Sequence, residues 1–299
     1  MKWIFIVLLG YLYVGASHAT TYVYHEGREA VSRVLALNFE SSLGSDVSVL
    51  RRQQLDQVEP QDLIITAGLD SFKNACNTPS SAHIAALFIG EQEYNSSSES
   101  CRERSVAVFS GAPLALRIGI LDTFWEDRAP ITLIHSRSIT IDTEELIVAA
   151  KRHNMDVKTV AVAAQREAAL RTLTQVTLNS NLVMSIYDSE LFDGQFSKDA
   201  IRLMFHKKKA LAAHSLQLVK AGAIFAVYST TAAKIAMATQ HIKYFQSAQA
   251  FKPSSYPDSL RVVFNPYLVR MYGLVLPTDI YLYTTFGVCP ELGCEEAFD

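Results

Sequence analysis

Short apolar runs alternate with helix-patterned segments along almost the whole chain, and this alternation restricts the available folds more than any other feature. The runs TYVYH (21–25), VSVL (47–50), DLIITAG (62–68), IAALFIG (84–90) and VAVFSG (106–111) come first. ITLIHS (131–136), VKTVAV (157–162), LVMSIYD (182–188), ALAAHS (210–215), AIFAVYS (223–229) and LRVVFN (260–265) follow. Most are apolar at consecutive positions, the pattern of strands buried on both faces. Amphipathic spacing predicts helices between them over 29–40, 113–126, 143–154, 165–179, 197–207 and 230–246. Such an alternation makes an α/β protein built on parallel sheets. About eleven strands are many for one sheet, whose usual complement is about five. Two α/β domains are therefore expected, in keeping with a length of 299 residues.

The N-terminus carries an address. MKWIFIVLLGYLYVGASHA has Lys2 at its start, an apolar stretch over 3–14, and Ser17-His18-Ala19 as a small-x-small exit. This is the pattern of a secretory signal peptide over 1–19, cut after Ala19, and it predicts an exported, periplasmic protein. No later stretch reaches the length of a membrane span. Four cysteines suit an oxidising compartment. Cys289 and Cys294 lie in a short tail (289–299) with Pro290 and Gly293 between them, and Cys76 and Cys101 are the other candidates. Three pairings are open to four cysteines. A zinc site is the rival, but no histidine adjoins the tail pair and no C-x-x-C occurs, so no metal is expected.

Composition excludes some partners. A net charge of −3 with both signs interspersed leaves no basic footprint for nucleic acid. The one basic cluster, His206 to Lys209, reads as the solvated end of a helix. No G-x-G-x-x-G turn, G-x-S-x-G elbow, H-E-x-x-H helix or P-loop is present, so neither a cofactor nor an enzyme is expected. The segment 90–105 is polar and serine-rich and reads as a surface loop.

Ligands of open α/β sheets bind beyond the carboxyl ends of the strands. That rule selects Thr66, Gly68 and Ser71 after the third run, where the start of a helix also offers free N–H groups to an anion. Local capping by Asp70 or Ser71 is the alternative. His135, Ser136 and Ser138 follow ITLI, His214 and Ser215 follow ALAA, and Tyr228 and Ser229 follow AIFAV. Asp188 closes the apolar run LVMSIYD and is the foremost candidate, with a helix cap or turn as its plainer reading.

Four stretches carry a family resemblance. QDLIITAGLDSFKNA resembles the strand-turn-helix of the first lobe of periplasmic substrate-binding proteins. SVAVFSGAPLALRIGILDTFWEDRAPITLIHS is similar to their inter-lobe crossover, helix and first strand of the second lobe. VKAGAIFAVYSTTAAKIAMATQHI looks like the strand returning to the first lobe with its helix, and LRVVFNPYLVRMYGLVLP like the closing strand and small helix. Together, over about 61–277, they resemble the ABC-transporter substrate-binding family of type I periplasmic-binding-protein architecture, the group including tryptophan/tyrosine-binding members. The resemblance implies two Rossmann-like lobes with parallel sheets, joined by a three-strand hinge at 110–111, 228–230 and 264–266. It implies a first lobe of 20–111 plus 230–264 and a second of 112–229 plus 265–288. It also implies that Asp188 faces the cleft and takes a ligand ammonium.

The function expected is that of a monomeric solute-binding protein delivering a small polar ligand, amino-acid-like or an amine or ring compound, to the permease of an ABC importer. A periplasmic module presenting its liganded form to a membrane sensor or kinase is the second reading. A hydrolase is the third.

Overall fold

The computed structural model describes residues 19–192 and 194–294. The expected leader lies outside the described residues except for Ala19, as does the end of the tail, 295–299. Described residues begin with β1 (Thr21–Tyr24), α1 (Glu29–Leu43) and β2 (Val47–Leu50), then a 3₁₀ turn at Arg52–Gln57. Next come β3 (Leu63–Ala67), α2 (Leu69–Cys76), β4 (His83–Ile89), α3 (Glu91–Asn95), α4 (Glu99–Glu103) and β5 (Ser105–Phe109). The five strands pair in parallel in the order β2-β1-β3-β4-β5.

A second unit repeats the plan. It runs α5 (Leu114–Asp122), β6 (Ile131–Ser136), α6 (Thr143–Lys151), β7 (Val157–Val162), α7 (Arg166–Val176) and β8 (Leu182–Ser185). It continues with α8 (Gly194–His206), β9 (Ala210–Ala213), α9 (Leu216–Ala221) and β10 (Phe225–Ser229). Then come α10 (Thr231–Ala248), β11 (Leu260–Phe264), α11 (Pro266–Met271), α12 (Asp279–Phe286) and β12 (Val288–Cys289). The sheet order is β12-β11-β10-β9-β8-β6-β7, and β11 is antiparallel to β10. Both sheets thus contain the doubly wound order in which the first strand lies between the second and third.

The double-sided burial read from sequence is realised by alternation along each strand. On one face of the first sheet Ile64, Ile84 and Ala107 meet Phe72 and Ala75 of α2. On the other, Ile65, Ala85 and Val106 meet Leu35 and Phe39 of α1 and Ile235 and Ile242 of α10. The second sheet is covered likewise, by α5, α6, α11 and α12 on one face and by α7, α8 and α9 on the other. The observed fold is therefore two α/β lobes, each a mainly parallel sheet between helices.

Three details depart from the sequence reading. First, α10 packs on the first lobe, and the chain after it runs beside β5: Phe109 N–H donates to Ser255 O (2.9 Å) and Ser255 N–H to Ala107 O (3.1 Å). Only then, at 257–259, does it cross to β11 in the second sheet. The third crossing precedes β11 instead of following it at 264–266, and 260–264 belong to the second lobe. An apolar run fits either sheet, and nothing local says which neighbour it will pair with.

Second, the polar segment 90–105 is not a loop. It holds α3 and α4, with Glu93, Tyr94 and Cys101 buried. Third, β8 stops at Ser185, and Ile186 to Asp188 lie beyond the strand. The cysteines pair as Cys76–Cys101, tying α2 to α4, and Cys289–Cys294 in the tail. No helix among the described residues is long and apolar enough to cross a membrane, and no metal-holding cluster of His, Cys, Asp and Glu occurs among them.

Candidate functional site

Parallel strands deliver their carboxyl ends to one edge of each sheet, and here the two edges face each other. Gly90, just past β4, lies so close to Tyr187 that a Cβ built on it would run into the Tyr187 carbonyl oxygen. Gly111, in the first crossing, approaches His214, with its would-be Cβ 3.7 Å from the His214 carbonyl oxygen. Hydrogen bonds link the lobes as well. Ser189 donates to Glu93 Oε1 from both its N–H and its hydroxyl, each at 2.6 Å. Thr140 N–H donates to Ser96 Oγ at 3.0 Å.

Glu93 is a residue the sequence reading missed. Its other oxygen accepts from Gly90 N–H at 2.8 Å, and the side chain is buried. Burial pushes its carboxyl pKa up, while the bonds from Gly90 and Ser189 oppose the rise. The only sequence signal was an acid at the N3 position behind a glycine N-cap.

Two cavities lie between the lobes. One, of about 240 Å³, is lined by α2, the α3–α4 connection, Ser138, Ile139, Asp188 and Glu190. The other, of about 670 Å³, lies at the hinge between Ser110-Gly111, Tyr228 to Thr231 and His214 to Gln217. Ligand sites span about 300 to 1,000 Å³, so the hinge cavity alone of these two has the volume for a small solute.

The expected site residues divide accordingly. His214, Ser215, Tyr228 and Ser229 line the hinge cavity, whereas Ser138 and Asp188 line the smaller one. Thr66, Gly68, Ser71, His135 and Ser136 line neither. Thr66 is fully buried in β3 and its hydroxyl has no partner. Gly68 is the N-cap of α2 at φ +87°, a backbone glycine adopts readily. Ser71 donates to Ala67 O and accepts from Glu26 N–H, so it fastens α2 locally. His135 Nδ1 bonds Ser136 O.

Asp188 takes the turn role. One carboxylate oxygen accepts from Ser136 N–H at 2.5 Å and the other from Leu191 N–H at 3.0 Å. The side chain is 1% exposed. It ties the end of β6 to the turn after β8 and fixes the cleft rim.

Behind the rim sits Arg117 of α5, which is 1% exposed. Its guanidinium donates to Ser185 O (2.7 Å), Ala212 O (3.2 Å) and Ala213 O (2.9 Å), the carbonyls at the ends of β8 and β9. Burial lowers its pKa to about 10, so it stays charged at neutral pH. His214 Nδ1 is 2.9 Å from Ser185 Oγ. Burial, and then the Arg117 charge, hold the imidazole down to about 3, so it is neutral in the cleft.

Lys234, in the first turn of α10, is the second residue missed. It is 7% exposed, lines the hinge cavity and donates to Ser229 O at 2.6 Å. Its ammonium also lies 5.8 Å from the centroid of the Phe88 ring. Phe88 has φ +55°, a left-handed conformation costly for an aromatic residue, at a register shift between β4 and β5. The bulge turns its ring to the cavity wall.

Burial lowers the Lys234 pKa to about 8. The unfolded chain then binds more protons than the folded one between about 8 and the ordinary lysine value of about 10.4. Stability contributed at this position is therefore lowest below pH 8 and rises with pH through that window. Urea unfolding of Lys234→Met and parent is expected to show the variant's advantage shrinking by about 3 kcal/mol between pH 7.5 and 10.5. A pH-independent difference would show that the ammonium is not desolvated.

No protein-family model and no curated protein sequence matches the chain. Solved structures do. An ABC domain in complex with L-Trp from Streptococcus pneumonia matches at a TM-score of 0.66 and 13% identity, over 88% of this chain and 97% of that one. A ligand-free, open substrate-binding protein with adhesive properties from Clostridium difficile gives 0.60 and 9%, over 87% and 97%. A transcriptional activator of the comK gene from Bacillus halodurans gives 0.51 and 13%, over 90% and 99%. At these identities the likeness is one of fold. The chain has the type I periplasmic-binding-protein fold, which substrate-binding proteins and a regulator share.

Proposed function

We propose that this chain is an exported solute-binding protein that traps a small ligand between its lobes and hands it to the permease of an ABC importer. The observation that carries the reading is the hinge cavity, lined from both lobes beside contacts that exist only when the lobes meet. Three crossings join the lobes, so one can swing against the other while each sheet stays intact. A ligand touching both lobes favours the closed arrangement because only there does it make all its contacts. The two disulfides and the N-terminal leader pattern support an exported setting.

Binding without chemistry fits the one serine–histidine pair at the site. Ser185 is wholly buried in β8, and an imidazole held near 3 is a poor base at neutral pH.

A thermal-shift screen of amino acids, sugars, amines and carboxylic acids tests the reading. A solute present at a hundred times its dissociation constant is expected to add about 2.7 kcal/mol of stability. Small-angle scattering with the same solute is expected to show a more compact particle. If no solute moves the melting curve, the solute-binding reading fails.

A further inference from the structure

Resting on the solute-binding reading, we infer that the hinge cavity takes a small monocarboxylate, its acid group held by Lys234 at the start of α10, with an apolar or aromatic body. Three independent features converge there. Lys234 is a buried ammonium with no carboxylate partner among the described residues. Of its three N–H donors, one is committed, to Ser229 O. Beside it, the Ser229 hydroxyl is buried in the cavity wall without a hydrogen-bond partner. Thr230 and Thr231 bring the amino end of the 18-residue α10 to the same wall, the positive end of its dipole.

The sign and number of charges follow from the lining. Lys234 and Arg261 are positive, Glu291 is negative, and His214 is neutral. Arg261 already donates to Glu291 O, and the Glu291 carboxylate lies 3.7 Å from Lys220. Lys234, Arg261 and Glu291 together leave the lining one net positive charge, and Lys234 is the buried one of its two cations. A single negative charge balances it, and a dianion would bring one too many. A buried ammonium facing an unspent hydroxyl and a helix start is costly when empty and favourable when an acid group arrives. The remaining walls include Phe88, Tyr187, Tyr228 and Leu216, which suit a flat or apolar body. The preference is opposite to the one Asp188 suggested in the sequence, because both oxygens of that carboxylate are engaged by backbone N–H groups.

Matched acid and amide pairs test this on the intact protein. The panel includes phenylacetate with phenylacetamide, indole-3-acetate with indole-3-acetamide, and inorganic phosphate. Binding is read by calorimetry and closure by small-angle scattering. The expected result is that acids bind and amides do not. Lys234→Met is then expected to weaken the best acid by about tenfold or more, the factor a lost charged hydrogen bond carries. The acid–amide comparison needs no variant, so it stands even if Lys234→Met folds poorly. Equal binding of acid and amide, or acid binding untouched in Lys234→Met, overturns the inference while leaving a solute-binding protein. Closure on neutral or cationic solutes alone, or on phosphate alone, does the same. A panel in which no solute of any charge binds removes the solute-binding reading and this inference together.

Discussion

Replacing Arg117 with alanine is expected to lower the unfolding free energy by about 4 kcal/mol, among the largest single losses this chain can show. Two effects add. The carbonyls of Ser185, Ala212 and Ala213 lose their guanidinium donor at the ends of two central strands. A long, fully enclosed side chain also leaves a void that the packed lobe closes only in part. Relief of a buried charge opposes both, since burial already holds the guanidinium pKa near 10. Arg117→Met, which fills the space without charge, is therefore expected to cost about half as much, in the range of ordinary core substitutions. Arg117→Lys keeps the charge but lacks the planar fork that spans both strands, and should fall between. Urea unfolding orders the three variants. The site would register the loss too: with the Arg117 charge gone, the His214 pKa should climb from about 3, readable by NMR titration. A cost below about 1 kcal/mol for Arg117→Ala, the size of an exposed substitution, would mean that water replaces the guanidinium at those carbonyls.

Arg117 also shows where sequence reasoning stops. It sits in LALRIGILD, between Leu116 and Ile118, within a helix the apolar spacing places correctly. A lone arginine in such a setting was a visible signal of a buried charge. Its partners were not visible, because they are backbone carbonyls 68 to 96 residues away. The same holds for Asp188. Its place at the end of an apolar run is plain in the sequence, but the N–H of Ser136, 52 residues earlier, decides that it braces the rim. The strand Ile131–Ser136 matches the expected range because burial on two faces is written into every position of the run. The edge strand Val157–Val162, buried only at its two ends, is marked instead by its valines and its bounding polar residues. Pairing partners are not written there, which is why Leu260–Phe264, expected in the first lobe, pairs instead with β10 in the second sheet. Glu93 was hidden for another reason. One-turn helices show no periodicity, and the serines around them give the composition of a loop.

The two missed residues share a physical character. Glu93 and Lys234 are both ionisable, both nearly enclosed, and both shifted by burial toward their neutral forms. Neither shift stabilises the fold, and each lies where the two lobes or the crossings come together. Buried, shifted ionisable groups of this kind are where proteins commonly give up stability for function. Polar residues in surface-like segments betray nothing of this until the second lobe is set against the first.

The strongest test of closure is a methyl group. Gly90→Ala is expected to weaken solute binding by about a hundredfold while leaving each lobe folded. The backbone at Gly90 has φ −76°, which alanine adopts without strain, so the substitution carries no conformational penalty of its own. Its cost arises only when Tyr187 approaches, since the new Cβ meets the Tyr187 carbonyl oxygen, a backbone atom that cannot rotate aside. Overpacking of this kind costs about 1–3 kcal/mol, and all of it falls on the closed arrangement. The Glu93–Ser189 and Ser96–Thr140 hydrogen bonds lie on the same rim and should weaken with it. Scattering should therefore report a more extended particle that solute no longer compacts, with melting changed by only a few degrees. If Gly90→Ala instead binds solute as tightly as the parent and closes as far, the Gly90–Tyr187 contact does not belong to the ligand-holding state. The hinge cavity would then have to close by another route.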